Sequence, residues 1–352
     1  MSISAFEHPF LSGLVGDDET ARFFTAEADV QAMLRFEIAL ARAEAGAGVI
    51  PQDAAARIVA VLQGFKPDME RLKRGTGRDG VVVAELVKQL RSAVGGDAAA
   101  HVHTGATSQD VIDTSLMLRL KDVLALFGER LEALISAFAA LDDVHGRRNL
   151  MGHTRMQAAL PITVADRLHA WGFPLARHRE RLAALLGKGL PLQFGGAAGT
   201  LDKLGEKGIA IRAALASELG LADGPQWQSQ RDILVEVADL LSLISGSLGK
   251  FGQDIALLAE MGGEIKLAGG GGSSAMAHKQ NPVAAEVLVS LARFNAVQLS
   301  GMHHSLVHEQ ERSGAAWTLE WLILPLIVAA TGASLRLAQE LAGNIQSLGL
   351  DA

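Results

Sequence analysis

The chain has 352 residues, of which 49% are hydrophobic and 20% are charged, and its formal net charge is −7. This composition predicts a folded globular chain with an ample core and excludes intrinsic disorder. The negative charge makes a nucleic acid or an anionic membrane an unfavourable partner. Because the chain has no cysteine, it has no disulfide framework and no thiolate metal site, and a reducing cytoplasm is the simplest location.

The sequence shows no pattern typical of a targeting or membrane-spanning segment. Residues 1–9 lack the basic flank and the apolar run of a signal peptide. The most apolar stretch, residues 321–330, has ten residues and contains Pro325, which is too short to span a bilayer. We therefore expect no membrane partner.

Residues 1 to about 100 are predicted to form a small helical N-terminal domain. Apolar residues recur there at helical spacing in three segments, 29–46, 52–64 and 81–94. The following stretch, 95–109, is rich in glycine, hydroxyl and histidine side chains, which is typical of a loop.

Residues 101–352 are predicted to form a second domain of long helices. The five helical segments are roughly 110–141, 161–188, 226–261, 282–309 and 318–348. The apolar residues of 226–261 repeat every 3.5 residues, the pattern of helices packed nearly parallel in a bundle. We expect Pro325 to kink the last helix. Apart from a glycine-rich hairpin predicted at 190–200, no segment alternates like a strand, so the predicted fold class is all-α.

The long helices also predict association between chains. Several of them carry apolar residues outside the main seam, such as Leu234, Leu241 and Leu257 in the 226–261 segment. A helix that is apolar on more than one face needs more than one neighbour. Five helices of about 45 Å each could not be covered well by one chain.

Four clusters of polar residues lie at predicted helix ends. They occupy residues 103–110, 152–157, 268–282 and 303–313. Residues 107–110 could simply cap a helix. His304 and His308 are one helical turn apart and suggest a metal site, but they lack the acidic partner of a His-Glu-x-x-His pattern, so a solvated or capping role is favoured. The glycines follow no phosphate-binding motif.

Residues 268–282, called the lid here, form the most distinctive cluster. Four consecutive glycines, 269–272, precede a dense group of polar side chains: Ser273, Ser274, His278, Lys279 and Asn281. Asn281 is a good N-cap and Pro282 suits the first helical position, which predicts a flexible loop hinged on the positive end of a helix. The alternative is a disordered surface linker.

Together, these clusters resemble the three signature regions of the fumarase/aspartase superfamily. The lid, Gly272-Ser-Ser-Ala-Met-Ala-His-Lys-Gln-Asn-Pro282, resembles the family pattern Gly-Ser-Ser-x-Met-Pro-x-Lys-x-Asn-Pro, with Ala277 in place of the usual proline. The pattern His103-x-Gly-x-Thr-Ser-x-Asp-x-x-Asp-Thr114 is similar to the first region, and Gln157-x-Ala-x-Pro161 to the end of the second. The likeness covers most of the chain.

The resemblance implies a homotetramer with a twenty-helix core, no cofactor or metal, and active sites that each combine residues from three subunits. By match to the family motifs, Ser273 exchanges the proton alpha to a carboxylate, and Lys279 stabilises the aci-carboxylate that forms. His103 is an alternative proton carrier, and His153 remains a third. The implied substrate-binding residues are Thr107, Ser108, Arg155, Gln157, Ser274, Met276, Asn281 and Arg312.

Two departures from the family pattern bear on the reaction. Family members that release an amine or water carry a histidine two residues before the glutamine, where this chain has Arg155. A carboxylate leaving group needs no general acid, because its conjugate acid has a pKa of about 4, and arginine binds carboxylates in a bidentate manner. The chain also ends about where the central bundle should end, so we expect the family's small C-terminal domain to be absent.

The residues therefore favour the lactone-forming cycloisomerase branch of the family, which acts on a carboxylated muconate. Residues 194–200 and 309–325, with Trp317 and Trp321, also look most like that branch. Two alternatives remain open. One is a lyase of the adenylosuccinate or argininosuccinate type that releases fumarate, and the other is an inactive structural relative. The preferred substituted muconate and the syn or anti course of addition stay undetermined.

Overall fold

Long helices make up most of the chain in the computed structural model, which describes residues 4–272, 276 and 280–351. The N-terminal part contains α1 (Ser12–Val15), α2 (Asp18–Ala21), α3 (Ala26–Gly46), α4 (Gln52–Leu62), α5 (Met69–Asp79) and α6 (Val83–Val94). The rest contains α7 (Ser108–His145), α8 (Val164–Lys188), α9 (Gly208–Leu219), α10 (Asp232–Met261), α11 (Val283–His304) and α12 (Gly314–Gly343). The all-α fold class and the five long helices are confirmed. The domain boundary near residue 100 stays a prediction.

An aromatic cluster of the core lies where α7, α8 and α10 meet. The rings of Phe138, Trp171 and Phe251 pack there in edge-to-face or tilted pairs, with ring centroids 5.0 to 6.0 Å apart, and all three residues are buried. Each aromatic pair in such a cluster adds about 0.5–1.5 kcal/mol beyond the area it buries. Trp171 also donates its Nε1–H to Asp254 at 2.8 Å, so its polar group is satisfied. Helix α10 packs against α11 and α12 as well, which makes it the central helix of the bundle.

The structure contains two small sheets that the sequence did not predict. Strands β1 (Asn149–Thr154) and β2 (Gln157–Thr163) form an antiparallel hairpin, and β3 (Ile265–Leu267) pairs antiparallel with β4 (Ile345–Leu348). The prediction of a hairpin at 190–200 was wrong, because that segment is a loop with a single bridge from Pro191 to Ala222.

The helix that follows the hairpin begins later than expected. Pro161 lies in β2 opposite Met151, and α8 begins at Val164 rather than at residue 161. The Thr163 hydroxyl accepts from the Asp166 N–H, and the Asp166 carboxylate accepts from the Thr163 N–H. This reciprocal capping box sets the start of the helix.

The base of the lid also differs from the prediction. Asn281 does not cap α11; its backbone pairs with Gly271 through two N–H···O bonds of 2.9 Å. The helix begins at Val283 after Pro282, which has a non-helical ψ of 59°. The two hydrogen bonds hold the ends of the lid together. The part of the lid that carries Ser273, Ser274, His278 and Lys279 lies outside the described residues.

Two helices are apolar and long enough to meet a simple test for a membrane span, within the part of the chain that the structure describes. They are α11 and α12, with mean hydropathies of 1.2 and 1.7 over 18 residues. The apolar stretch 321–330 forms part of α12, which runs continuously through Pro325 for 30 residues, so the helix is longer than the stretch alone. The test is weak, because a buried bundle helix also meets it, and 67% of the α12 window is buried.

The long helices have the candidate site residues at their two ends, which lie far apart. Helix α7 has 38 residues and is therefore about 57 Å long at 1.5 Å per residue. Its first residue, Ser108, follows the loop that carries His103, and its last turn leads into the β1–β2 hairpin. We call these the α7 N-terminal end and the hairpin end. Helix α10 starts at the α7 N-terminal end and leads to the lid at the hairpin end. Its 30 residues span about 45 Å.

Candidate active site

A buried carboxylate organises the α7 N-terminal end. Asp110 accepts four N–H bonds of 2.9–3.0 Å, from the backbone of Thr107, Gly195 and Gly196 and from the side chain of Gln193. Burial raises the pKa of Asp110 to about 6, and the four donors oppose that rise by stabilising the charged form. Asp110 thus joins the first turn of α7 to the glycine-rich loop at 194–200.

Arg312 reaches the same place from the loop before α12. Its Nε donates to Gln109 Oε1 at 2.8 Å, and its Nη2 lies 3.4 Å from Thr107 Oγ1 and 3.3 Å from the Ala197 carbonyl. The residue is exposed, and its Nη1 group has no hydrogen-bond partner among residues 4–272, 276 and 280–351. A fixed guanidinium with free donors beside two hydroxyl residues, Thr107 and Ser108, is suited to bind a carboxylate.

A buried ion cluster holds this end of the bundle together. Arg231, which is 1% exposed, donates to both oxygens of Asp113 at 2.6 and 3.1 Å and to both oxygens of Glu320 at 2.9 and 2.6 Å. Trp317 Nε1 donates to Asp113 at 3.1 Å, and Gln109 Nε2 donates to the other oxygen at 3.1 Å. The cluster therefore connects α7, the start of α10 and α12, and reaches Arg312 through Gln109.

His103 is paired with a carboxylate from the N-terminal helices. Its Nδ1 lies 2.6 Å from Glu37 Oε1, and Glu37 is 2% exposed. Burial and the positive charge of Arg91 lower the pKa of His103. The negative charge of Glu37, the hydrogen bond to Glu37 and the negative charge of Asp110 raise it. The raising effects are larger, so the pKa of His103 lies above its usual value. Nδ1 donates to Glu37, so Nε2 is the atom left to exchange a proton with a substrate. The backbone of His103 has a φ of 64°, a strained value for a residue other than glycine.

The hairpin end carries the other substrate-binding residues. Arg155 and Met156 form the turn between β1 and β2, with φ values of 48° and 64°. Two-residue turns of this kind favour glycine and asparagine, so both side chains are held at some conformational cost. Both are exposed, as are Gln157 and His153. The turn therefore leaves the Arg155 side chain exposed to solvent.

The lid shares this end. Glu264, just before β3, accepts the Met151 N–H of the hairpin at 2.8 Å, and β3 leads directly into the lid. Met276 is 44% exposed, and Asn281 lies at the base. Ser273, Ser274 and Lys279 are outside the described residues, so their roles stay predictions.

One chain thus brings its site residues together in two groups, not one. His103, Thr107, Ser108 and Arg312 gather at the α7 N-terminal end, while Arg155, Gln157, Met276 and Asn281 gather at the hairpin end. The two ends are separated by the length of α10, about 45 Å. If both groups act on one substrate, they must come from different chains.

The three histidines of the fourth cluster have different surroundings. His303 and His304 are exposed, and His303 Nε2 lies 3.2 Å from Asp239. The expectation of a solvated or capping role was wrong for His308, whose buried side chain lies 3.4 Å from Glu320 Oε1. Across the described ranges, 4–272, 276 and 280–351, no group of three or more His, Asp or Glu side chains is placed to hold a metal ion.

Comparison with known proteins decides the family. The family model described as lyase matches residues 13–296. The chain belongs to this lyase family. It is 42% identical over 337 residues to a 3-carboxy-cis,cis-muconate cycloisomerase of Pseudomonas aeruginosa, covering 94% of this chain and 73% of that protein.

Solved structures of lyase-family enzymes share the fold. The 3-carboxy-cis,cis-muconate lactonizing enzyme of Pseudomonas putida superposes with a TM-score of 0.90 at 38% identity, over 96% of this chain and 77% of that one. A fumarate lyase from Mesorhizobium sp. BNC1 superposes with a TM-score of 0.87 at 36% identity, over 94% and 76%. The fold and family implied by the signature regions are confirmed. Membership of this enzyme family implies a small-molecule substrate and association between chains.

Sequence reasoning missed two residues of the α7 N-terminal end. Glu37 and Arg231 belong to none of the polar clusters, and each acts through a contact far away in sequence: 66 residues from Glu37 to His103 and 118 from Arg231 to Asp113. The only available signal was a charged residue on an otherwise apolar helical face, as Glu37 is in α3.

We expect Glu37→Gln to lower the pKa of His103, because the variant removes the attraction that opposes burial. Since the folded-state pKa of His103 is raised, its pairing with Glu37 stabilises the fold below the unfolded value of about 6.5, and this contribution is lost as the pH rises through the folded pKa. The stability difference between the wild type and Glu37→Gln should therefore be larger at pH 6 than at pH 9.

The His103 pKa is measured by NMR titration of histidine-labelled protein, with His103→Gln to assign the signal. Denaturant unfolding at the two pH values measures stability, with Glu27→Gln on the exposed face of α3 as the control. An unchanged His103 pKa in Glu37→Gln would contradict the pairing.

Proposed function

We propose that this chain is a cycloisomerase that converts 3-carboxy-cis,cis-muconate to a carboxymuconolactone, without a cofactor, in the catabolism of aromatic compounds. The observation that carries the proposal is the 42% identity, over 94% of the chain, to an enzyme that bears this name. The arginines at the two ends support it. Arg312 has free donors at one end, and the strained turn presents Arg155 at the other, as a substrate with three carboxylates requires.

The reaction is an addition within one molecule. A carboxylate oxygen of the muconate forms a C–O bond to a double-bond carbon, and the electron pair moves to a neighbouring carbon as an aci-carboxylate. A proton then adds to that carbon and completes the lactone. In reverse, the same steps are a β-elimination with a carboxylate leaving group, which needs no general acid. The enzyme must therefore stabilise the aci-carboxylate and transfer one proton.

The described residues can serve these steps at the α7 N-terminal end. Thr107, Ser108 and Arg312 would bind a carboxylate that does not react, and Asp110 and Gln109 hold them in place. His103 would be close enough to share in proton transfer, with Nδ1 on Glu37 and Nε2 facing the substrate. Arg155 and Gln157 would bind a second carboxylate from the hairpin turn of another chain.

The proposed function predicts that the purified protein consumes 3-carboxy-cis,cis-muconate, with loss of diene absorbance and formation of a lactone. It should release no fumarate from adenylosuccinate or argininosuccinate. The fumarate assay matters because a fumarate lyase shares the fold at 36% identity. Fumarate release without lactone formation would overturn the proposal in favour of a lyase. Inactivity on all three substrates would favour an inactive relative.

We expect Ser273→Ala and Lys279→Met to have different effects. Removal of the proton-transfer hydroxyl should reduce kcat by roughly a hundredfold with little change in KM. Removal of the lysine should impair both constants, because its charge holds the carboxylate before and during the reaction. Ser217→Ala on the exposed face of α9 is the control. Near-normal kcat in Ser273→Ala would transfer the role to a histidine, His103 first.

We propose further that the active unit is a homotetramer with sites shared between chains. The distance of about 45 Å between the two groups of site residues supports it. The apolar exposure of α11 does too, because only 28% of its most apolar window is buried and Val297 is 71% exposed. Sedimentation should show a species of four 37.0 kDa chains. A fully active monomer would contradict the shared site.

A further inference from the structure

The loop that carries Arg312 connects α11 to α12 and spans residues 305–313. Ser305 and Ser313 at its two ends are buried. Every other residue between them is exposed except His308, whose side chain is 0% exposed. Gln310 in the same loop has a φ of 50°, a value that a residue other than glycine keeps only when its surroundings hold it. His308 is therefore the point between the two ends at which the loop is anchored to the bundle.

The His308 ring lies against the buried ion cluster. Its Nε2 is 3.4 Å from Glu320 Oε1, the oxygen that also accepts from Arg231 Nε at 2.9 Å. Both ring nitrogens are buried, and neither forms a hydrogen bond with the described residues, so the contact with Glu320 is electrostatic. Nε2 carries a proton, because a lone pair there would face the negatively charged oxygen of Glu320.

The charges of the ion cluster favour such a donor. Arg231 is shared between Asp113 and Glu320, so two negative charges face one positive charge in the interior. An N–H directed at Glu320 offsets part of this excess negative charge, and the attraction is strong because the surroundings have a low dielectric constant. The contact therefore holds His308 in place as well as stabilising Glu320.

Arg312 is connected to the same cluster along two routes. Gln109 accepts from Arg312 Nε at 2.8 Å and donates to Asp113 at 3.1 Å. The second route is the backbone of the loop, because His308 comes four residues before Arg312 and contacts Glu320. Both carboxylates of the cluster thus support the guanidinium.

We propose that His308 is a positioning residue for the candidate active site. Its Nε2–H, held against Glu320, fixes the loop 305–313 so that the Arg312 guanidinium stays on Gln109 and can bind a substrate carboxylate. His308 itself does not touch the substrate, because its ring nitrogens are buried. The inference rests on the proposed function only where it assigns a substrate carboxylate to Arg312. The position of Arg312 is measured without any substrate.

Substitutions at position 308 separate the donor from the volume of the ring. His308→Gln places an amide N–H near the position of Nε2–H, whereas His308→Asn places it near Nδ1 and His308→Leu supplies no donor. His304→Leu, at the exposed end of α11, is the matched control. Circular dichroism and thermal melts check that each variant is folded. Two variants lack the Nε2 donor, so the test does not depend on one of them.

The Arg312 side chain is observed directly by NMR in protein with isotope-labelled arginine. The Nε–H signal is assigned by its loss in Arg312→Met, and its hydrogen bond to Gln109 slows exchange of this proton with water. The signal should be unchanged in His308→Gln and His304→Leu. In His308→Leu and His308→Asn it should shift, and the proton should exchange roughly tenfold faster.

Kinetics with 3-carboxy-cis,cis-muconate give the second readout. KM should rise about tenfold in His308→Leu and His308→Asn with little change in kcat, because Arg312 holds a carboxylate that does not react. His308→Gln should keep a KM close to the wild-type value. In an Arg312→Met background, His308→Leu should have no further effect on KM, since the two residues act through one contact.

Three outcomes would overturn the proposal. Equal effects of His308→Gln and His308→Leu would show that only the volume of the ring matters. An Arg312 signal that is unchanged in His308→Leu would show that the loop keeps its place without the contact. A rise in KM that persists in the Arg312→Met background would place the effect elsewhere. Failure of the wild type to consume the substrate would overturn the proposed function alone, because the NMR comparison still decides the role of His308.

Discussion

The buried cluster of Arg231, Asp113 and Glu320 is the interaction on which the arrangement of the α7 N-terminal end depends. Removing one partner of such a cluster typically costs 3–5 kcal/mol, because it leaves an unpaired charge in the interior. The hydrogen bonds of Arg231 to both carboxylates can form only when α7, the start of α10 and α12 are held in their present positions relative to one another. The same Asp113 accepts from Gln109, which in turn positions Arg312. A structural ion cluster thus also orients the guanidinium proposed to bind substrate.

Helix length is the second constraint. A straight helix of 30 residues cannot fold its two ends together, so residues placed at opposite ends of α10 remain about 45 Å apart. The candidate site residues lie at these ends, and apolar side chains such as Val297 and Leu322 are exposed along the helices. Packing these faces against other copies would cover the apolar surface and would bring opposite ends together. Packing of the apolar helix faces between chains would then explain both the association and the shared active site.

Backbone strain marks both proposed binding regions. His103 at one end and Arg155 and Met156 at the other have positive φ values, although none of them is glycine. Such conformations persist when surrounding contacts determine them, as Glu37 does for His103 and the β1–β2 pairing does for the turn.

The sequence by itself determined the helical class, the five long helices and the signature regions, because helical periodicity and motif spacing are local properties. It did not reveal the β1–β2 hairpin, since Pro161 and the short strands resemble a helix start, and it placed the cap of α11 at Asn281 instead of recognising the bridge to Gly271. The pairing of Glu37 with His103 and the Arg231 cluster appeared only in the tertiary structure. The reason is physical: a buried charge is stabilised by partners that the fold brings from distant positions, and no local pattern encodes that meeting.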